Sequence, residues 1–265
     1  TFGGFTSVTK TDGGNLIIED KDLAAFLKDD PPAAPFVRPF LGARGLLHGE
    51  KRWCLWLVGI APADIKKHPN IYKRVAQCKA VRESSKAAAI RRFAEVPMRF
   101  AQVTQPDGKD YIIIPRHSSE KRRYIPMTFV KAGTIAADSV QIIPDATLYM
   151  FGVITSNVHM SWMRLAAGRL ESRYRYSKDV VYNTFPWPTP TDTQRAAIER
   201  TAQGILDARA LYPDSSLADL YDEVLMPKEL REAHRKNDRA VMEAYGFWGR
   251  GINQEPLVVA ELMKM

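Results

Sequence analysis

The chain has 265 residues, 45% of them apolar and 26% charged, a balance that supports buried cores and is too apolar for a disordered chain. No run approaches about 18 uninterrupted apolar residues, so no membrane-spanning helix is expected. The net charge of +8 is unevenly spread: residues 1–65 carry −1, residues 66–131 carry +11, residues 132–190 carry +1 and residues 191–265 carry −3. A positive field concentrated in one window suits a polyanion, either nucleic acid or an anionic membrane face. The first residue is Thr1, with no initiator methionine and no signal peptide, which reads as a segment of a longer protein. Cys54 and Cys78 are too few for a disulfide framework or a zinc site, and read as buried thiols of a cytosolic protein.

Along the chain, short apolar runs alternate with turn signals: Arg52–Val58, Met98–Thr104, Asp110–Pro115, Arg123–Val130, Val140–Pro144 and Leu148–Ile154. These are expected strands. Gln105-Pro106-Asp107-Gly108 reads as a hairpin turn, with Pro setting φ and Gly closing the exit. Two helices are expected among them. Asn70 to about Glu95 lacks Gly and Pro, sits between Pro69 and Pro97, and carries Ile71, Val75 and Cys78 as its apolar stripe. Asn157–Leu170 places Val158, Trp162, Leu165 and Ala166 on one side. This pattern predicts an α+β fold, a mixed sheet with inserted helices.

The alternate prolines of Phe185-Pro186-Trp187-Pro188-Thr189-Pro190 stop both helix and central strand. They predict a boundary, with residues 1–188 as one domain and 189–265 as a small helical, acidic appendage. Thr191 or Asp192 suits an N-cap, followed by Ile198, Ala202, Ile205 and Ala208 or Arg209 at helical spacing up to Pro213. Ser216–Asp222 reads as a short helical turn. Pro227 suits the first position of a last helix whose Leu230, Ala233, Asn237, Val241 and Ala244 share a face, and Gly246 suits its C′ end.

No catalytic constellation stands out. Asp30-Pro31-Pro32-Ala33 resembles the loop that holds a target amine in amino-methyltransferases, but Ala33 replaces the aromatic that would stack on a flipped base. Phe2-Gly3-Gly4 is too short for a cofactor loop, and Ser118-Ser119-Glu120-Lys121 lacks the companion motifs of a Ser-x-x-Lys enzyme. Asp110 and Glu120 are not followed by the Glu-x-Lys of a magnesium nuclease, and His48, His68, His117, His159 and His234 have no metal spacing.

Nucleic-acid chemistry is better represented. Pro115 to Tyr124 packs Arg116, Ser118, Ser119, Lys121, Arg122 and Arg123 into one connection, suited to guanine and phosphate contacts. In the first helix Lys79, Arg82 and Lys86 are expected on one side. Ser84 and Ser85 beside them are phosphate donors, and Arg91 and Arg92 extend the basic surface. Gly168 to Ser177 alternates polar and aromatic residues and includes Arg175. Glu171 and Arg173, two apart, are expected to point the same way on an extended backbone. Such a pair can read both halves of a C·G pair, Glu accepting from cytosine N4 and Arg donating to guanine O6 and N7. The plain alternative is a surface ion pair.

These motifs together resemble a known family. They are Arg52-Trp53-Cys54-Leu55-Trp56-Leu57, Pro115-Arg116-x-Ser118-Ser119-Glu120, Tyr149-x-Phe151-Gly152, Ser156-x-x-His159-Met160-x-Trp162, Gly168 to Ser177, and Tyr182-Asn183-x-Phe185-Pro186-Trp187-Pro188. Leu217-Ala218-Asp219-Leu220-Tyr221-Asp222 and Met226-Pro227-x-Glu229-Leu230 extend the match through the tail. From about Asn15 to Tyr245 the chain resembles the C-terminal part of the MmeI-like (Type IIL) restriction–modification proteins. The resemblance implies a double-stranded DNA recognition domain with a helical tail, belonging to an adenine-N6 methyltransferase whose catalytic and S-adenosylmethionine loops lie upstream. It implies no cofactor within this segment, an upstream methyltransferase domain as its covalent partner, and a prokaryotic cytoplasm, at the nucleoid, as its location. It places base-reading residues at Glu171 and Arg173, near Arg116, and near Asp138 and Ser139. The rival expectations are an independent methyltransferase and an RNA-binding module, although no RNP1 aromatics or Gly-x-x-Gly clamp are present.

Overall fold

The structure, a computed structural model, describes residues 11–101, 103–106 and 108–265. Phe2-Gly3-Gly4 and the Asp107 centre of the expected turn lie outside the described residues. In chain order the described strands begin with β1 (Ile17–Glu19), β2 (Val37–Leu41), β3 (Arg52–Leu55), β4 (Tyr111–Pro115) and β5 (His117–Ser118). They continue with β6 (Thr128–Val130), β7 (Ile135–Ala136), β8 (Val140–Pro144), β9 (Gly168–Leu170) and β10 (Arg173–Arg175). With the helices between and after them, the fold is α+β, as expected. The chain forms two compact units, one of residues up to Lys109 with Val130–Ile142, the other of Asp110–Phe129 with Ile143–Met265.

The first unit is built on a four-stranded sheet in the order β1-β3-β2-β7. Neighbours β1/β3 and β3/β2 are antiparallel and β2/β7 parallel. Ile17, Phe40, Cys54 and Cys78 share one buried cluster, and Ile18, Leu55, Ile71 and Val75 another, so both thiols are core residues. The helix Pro69–Glu83 buries Ile71, Val75, Cys78 and Arg82. It stops twelve residues short of the expected Glu95, and Ala88–Arg91 and Arg92–Glu95 follow as separate short turns. Serine chemistry ends it. Ser84 Oγ donates to Val81 O (3.0 Å), Ser85 Oγ accepts from Ala87 N (3.3 Å), and Arg91 Nη1 donates to the carbonyls of Ser85 (2.8 Å) and Lys86 (2.9 Å). The described part of Met98–Thr104 is not a strand; its apolar character serves the core, where Phe100 stacks on Phe40 at 6.1 Å.

In the second unit Leu148–Ile154 is a helix, not the expected strand. Thr147 Oγ1 accepts from Met150 N (3.2 Å), and Tyr149, Phe151, Gly152, Val153 and Ile154 are all buried. A helix buried on every side has no polar face, so its period is invisible in the sequence. Gly152 allows close approach of the helix Asp192–Ala210: a Cβ there would lie 2.6 Å from Ile198 Cγ2. That helix begins with the expected cap, Thr191 exchanging hydrogen bonds with Gln194. The helix Asn157–Ala166 ends four residues before the expected Leu170, and it buries Val158, His159, Met160 and Met163 while Leu165 is 52% exposed. Pro227 caps the helix Lys228–Ala244 from outside rather than entering it, and Gly246 at φ 69° closes it. The Pro186 and Pro188 carbonyls accept from Tyr245 Oη (2.6 Å) and Tyr149 Oη (3.4 Å), so the proline segment packs within this unit.

A buried polar network crosses the helices. Tyr124 Oη donates to Asp238 Oδ2 (2.6 Å), Asn157 N donates to Asp238 Oδ1 (2.7 Å), and His234 Nε2 meets Tyr221 Oη (2.7 Å). Burial pushes Asp238 up to about 6 and His159 down to about 3, and lowers His234 well below its usual range. Each histidine therefore binds its proton more readily when unfolded. Their contribution is complete above about pH 6.5 and is lost as pH falls through that value. Asp238 works oppositely, since its folded pKa is raised, and its contribution is lost as pH rises toward 6. The histidines and the aspartate thus oppose each other; with His117 lowered likewise, the histidines prevail, and stability should fall on acidification between about pH 6 and 4. Urea midpoints across that range should fall on acidification; a flat or rising series would contradict the assignment.

Candidate nucleic-acid interface

The second unit carries a three-stranded sheet in the order β5-β10-β9. All its pairings are antiparallel, with Tyr174 opposite Ser118 and Arg169, Arg175 opposite His117 and Gly168, and Arg173 opposite Leu170. Alternation along β10 turns Tyr174 and Tyr176 inward and leaves Arg173 and Arg175 exposed. Tyr176 Oη lies 2.9 Å from His159 Nε2, and Phe185 meets the same imidazole edge-on at 4.5 Å. This histidine anchors the end of the strand, while Leu165 of the same helix is exposed. Tyr174 is covered by Arg169, whose guanidinium sits 4.0 Å from the ring centroid and also donates to Ser172 O (3.0 Å).

Glu171 and Ser172 form the two-residue turn between β9 and β10. Glu171 has φ 57°, a left-handed conformation more usual for Gly, Asn or Asp. The expectation of a continuous extended strand through Glu171 and Arg173 is therefore corrected. The two side chains still meet, because the turn folds Glu171 back over the strand: Arg173 Nη2 donates to Glu171 Oε2 at 2.5 Å. The pair is exposed, with side-chain accessibilities of 48% for Arg173 and 76% for Glu171. In isolation such a pair stabilises by at most about 1 kcal/mol.

The loop from β4 to β6 lies beside this hairpin. Arg116 O accepts from Tyr176 N at 2.8 Å, which ties the Arg116 backbone to the end of β10. Burial, then the guanidiniums of Arg175, Arg173 and Arg116, push the His117 imidazole below its ordinary value. Three of the expected cations thus share one neighbourhood. Glu120 is held below the usual carboxylate range by its own backbone N–H, then a hydrogen bond from Ser172 and the charges of Lys121 and Arg169. Ser119 Oγ accepts from Lys121 N (3.2 Å) and shapes the turn; Lys121 and Arg123 are exposed and Arg122 is half-buried. Ser118 is only 2% exposed, so its hydroxyl faces the interior and is corrected as a phosphate contact.

The remaining expected residues lie in the first unit. Lys79 and Lys86 are exposed, Lys79 pairing with Glu83 at 3.7 Å. Arg91 is exposed, although its guanidinium also closes the helix break, and Ser85 is half-buried. Arg82 is the clear correction. It is fully buried, following Ile71, Val75 and Cys78 on the inner stripe, and donates to Thr11 O (2.9 Å), Phe93 O (2.9 Å), Val96 O (3.0 Å) and Arg99 O (2.8 Å). It braces the fold and cannot reach a phosphate. Asp138 and Ser139 are half-buried in the connection between β7 and β8. Ser139 Oγ accepts from Ala43 N (3.0 Å), capping the short helix Ala43–His48 across a packed Gly42. A sequence reading missed Arg169, His117 and His159; only the strand register brings them to the site.

Asp30 lies 3.2 Å from His68 Nδ1 and Ala33 is fully buried, so the Asp30-Pro31-Pro32-Ala33 look-alike is packed into the core. Among the described residues there is no cluster of three or more His, Cys, Asp or Glu able to hold a metal, and no helix long and apolar enough to cross a membrane.

Comparison with known proteins places the chain in a family. Residues 5–189 match the family described as MmeI, target recognition domain, and residues 190–255 match the MmeI C-terminal domain. DNA methyltransferase A of Bacillus subtilis (strain 168) is 36% identical over 234 residues, 88% of this chain and 26% of that protein. A solved structure of the Type IIL restriction-modification enzyme MmeI in complex with DNA aligns over all of this chain and 35% of its own, with a TM-score of 0.94 and 40% identity. The chain thus spans about a quarter to a third of the length of these relatives.

Proposed function

The chain belongs to the MmeI family, spanning its target recognition and C-terminal domains, and on that basis we propose that it reads a short double-stranded DNA sequence for an adenine-N6 methyltransferase of a restriction–modification system. The observation that carries the reading is the outward face of β10, where Arg173 and Arg175 stand on a strand braced from behind by Tyr174 and Tyr176. A β-ribbon of this width fits the major groove, and arginine forks read guanine there. That the MmeI structure is described as a complex with DNA supports the same assignment.

Within this proposal Glu171 and Arg173 address one C·G pair, and Arg116, Asp138 and Ser139 add base contacts. Ser139 keeps its hydroxyl proton for donation, since its oxygen is the acceptor in the cap to Ala43. Lys79, Ser85, Lys86, Arg91, Ser119, Lys121, Arg122, Arg123 and Arg175 serve the phosphates. Within the proposal residues 1–188 read the DNA and residues 189–265 form the helical tail, a division supported by the two family matches meeting at residues 189 and 190. The methyltransferase domain, with S-adenosylmethionine, belongs to the rest of the longer protein; no residue of this chain is assigned to the cofactor.

Binding should be strongly salt dependent. With about five of the six Lys and Arg residues named from 66–131 on phosphates at once, log K against log salt should slope near about −4 to −5. Alanine at Lys79 or Lys86 should weaken every duplex alike and reduce the slope by about one each. Filter binding of the purified chain to duplex DNA and to single-stranded RNA of the same sequence measures this. A flat salt response, or tighter binding to RNA, would overturn the reading.

A further inference from the structure

We propose that His117 is a further specificity-determining residue, contacting the major-groove edge of a purine in a base pair other than the one read by Arg173. The inference rests on the DNA-reading role of the β5-β10-β9 sheet. Its own warrant is the register. His117 stands directly opposite Arg175, and Arg175 stands opposite Gly168 on its other side. Tyr174 and Ser118, the next pair along, are both buried, so His117 and Arg175 share the outward face with Arg173. Gly168 contributes no side chain to this row, and a Cβ built there would meet nothing within 4 Å. The row therefore has an arginine at its centre, an imidazole on one flank and open space on the other.

The chemistry of the imidazole separates it from its neighbours. Burial and the guanidiniums of Arg175, Arg173 and Arg116 all disfavour a second proton on the ring. A neutral imidazole has one N–H donor and one acceptor nitrogen, and no charge with which to hold a phosphate. Amid three cations suited to phosphate or guanine, the uncharged donor is matched to a purine N7. Residues two apart on a strand are separated by about 6.8 Å, about twice the 3.4 Å rise of a base-pair step. A ribbon lying along the groove thus carries the His117 row to a pair about two steps from that of Arg173.

The test uses the full-length protein, comparing wild type, His117→Ala and Arg173→Ala on duplexes randomised one position at a time. His117→Ala should relax discrimination at one position, about two steps from that relaxed by Arg173→Ala, by about three- to tenfold, the worth of one hydrogen bond. A 7-deazapurine at that position should weaken wild type by a similar factor and leave His117→Ala unaffected. Relaxation by Arg173→Ala with none by His117→Ala would overturn this inference alone. Equal weakening of all duplexes by His117→Ala would also overturn it, marking a backbone or folding role. Unchanged specificity in both variants would remove the hairpin as a DNA reader altogether.

Discussion

Arg82→Ala should destabilise the protein by about 3–5 kcal/mol, the largest effect expected of any charged residue in the basic window. The guanidinium is fully buried and donates to the carbonyls of Thr11, Phe93, Val96 and Arg99. Its removal leaves four acceptors without their donor in a site closed to water, and a cavity the size of a long side chain. Arg82→Lys should recover little, because one ammonium cannot direct bonds to four carbonyls set around a planar fork. Lys79→Ala, one turn away and exposed, should leave stability within about 0.5 kcal/mol of wild type. Chemical denaturation of the three variants checks this. Equal stability of Arg82→Ala and Lys79→Ala would place Arg82 on the surface after all.

Arg82 also shows where sequence reasoning reached its limit. The helix carrying it was legible, because Pro69 and the spacing of Ile71, Val75 and Cys78 act locally. Its apolar stripe continues to Arg82, but a charged residue on a stripe reads as solvent-facing unless the carbonyls that receive it are known. Those carbonyls come from residues up to 71 positions away. The two-serine break after Glu83 was equally hidden, since Ser84 and Ser85 compete with the helix only through hydrogen bonds to their neighbours. Leu148–Ile154 failed for the opposite reason: burial on every side removes the polar residues that reveal a helical period. The tail helices, with Thr191 at a cap and Gly246 at a terminus, were legible because their signals lie within one turn of the residues they act on. At the site, Glu171 and Arg173 could be chosen from charge and spacing, but the positive φ at Glu171 and the place of His117 beside Arg175 are products of register.

Replacing Glu171 and Arg173 together should change the DNA sequence read without unfolding the domain. Arg173→Ala alone should cost about 1–3 kcal/mol of binding and relax discrimination at one C·G position, the worth of a bidentate contact to guanine. The double substitution Glu171→Lys with Arg173→Asp reverses donor and acceptor along the hairpin. It preserves an ion pair at the turn, and both positions are exposed, so stability should change by less than about 1 kcal/mol. The strand beneath is held independently by Tyr176 against His159, and that contact involves neither substituted residue. A change of sequence preference at constant stability is thus the signature of reading, whereas a loss of both would mark a structural role.

The most direct measurement is the map of methylated adenines in DNA from cells expressing the full-length protein, wild type or carrying Glu171→Lys with Arg173→Asp. The structure leads to the expectation that one C·G pair of the recognition sequence becomes G·C while every other position is kept. An unchanged recognition sequence would contradict it, leaving Glu171 and Arg173 as an exposed ion pair on a hairpin that does not read DNA.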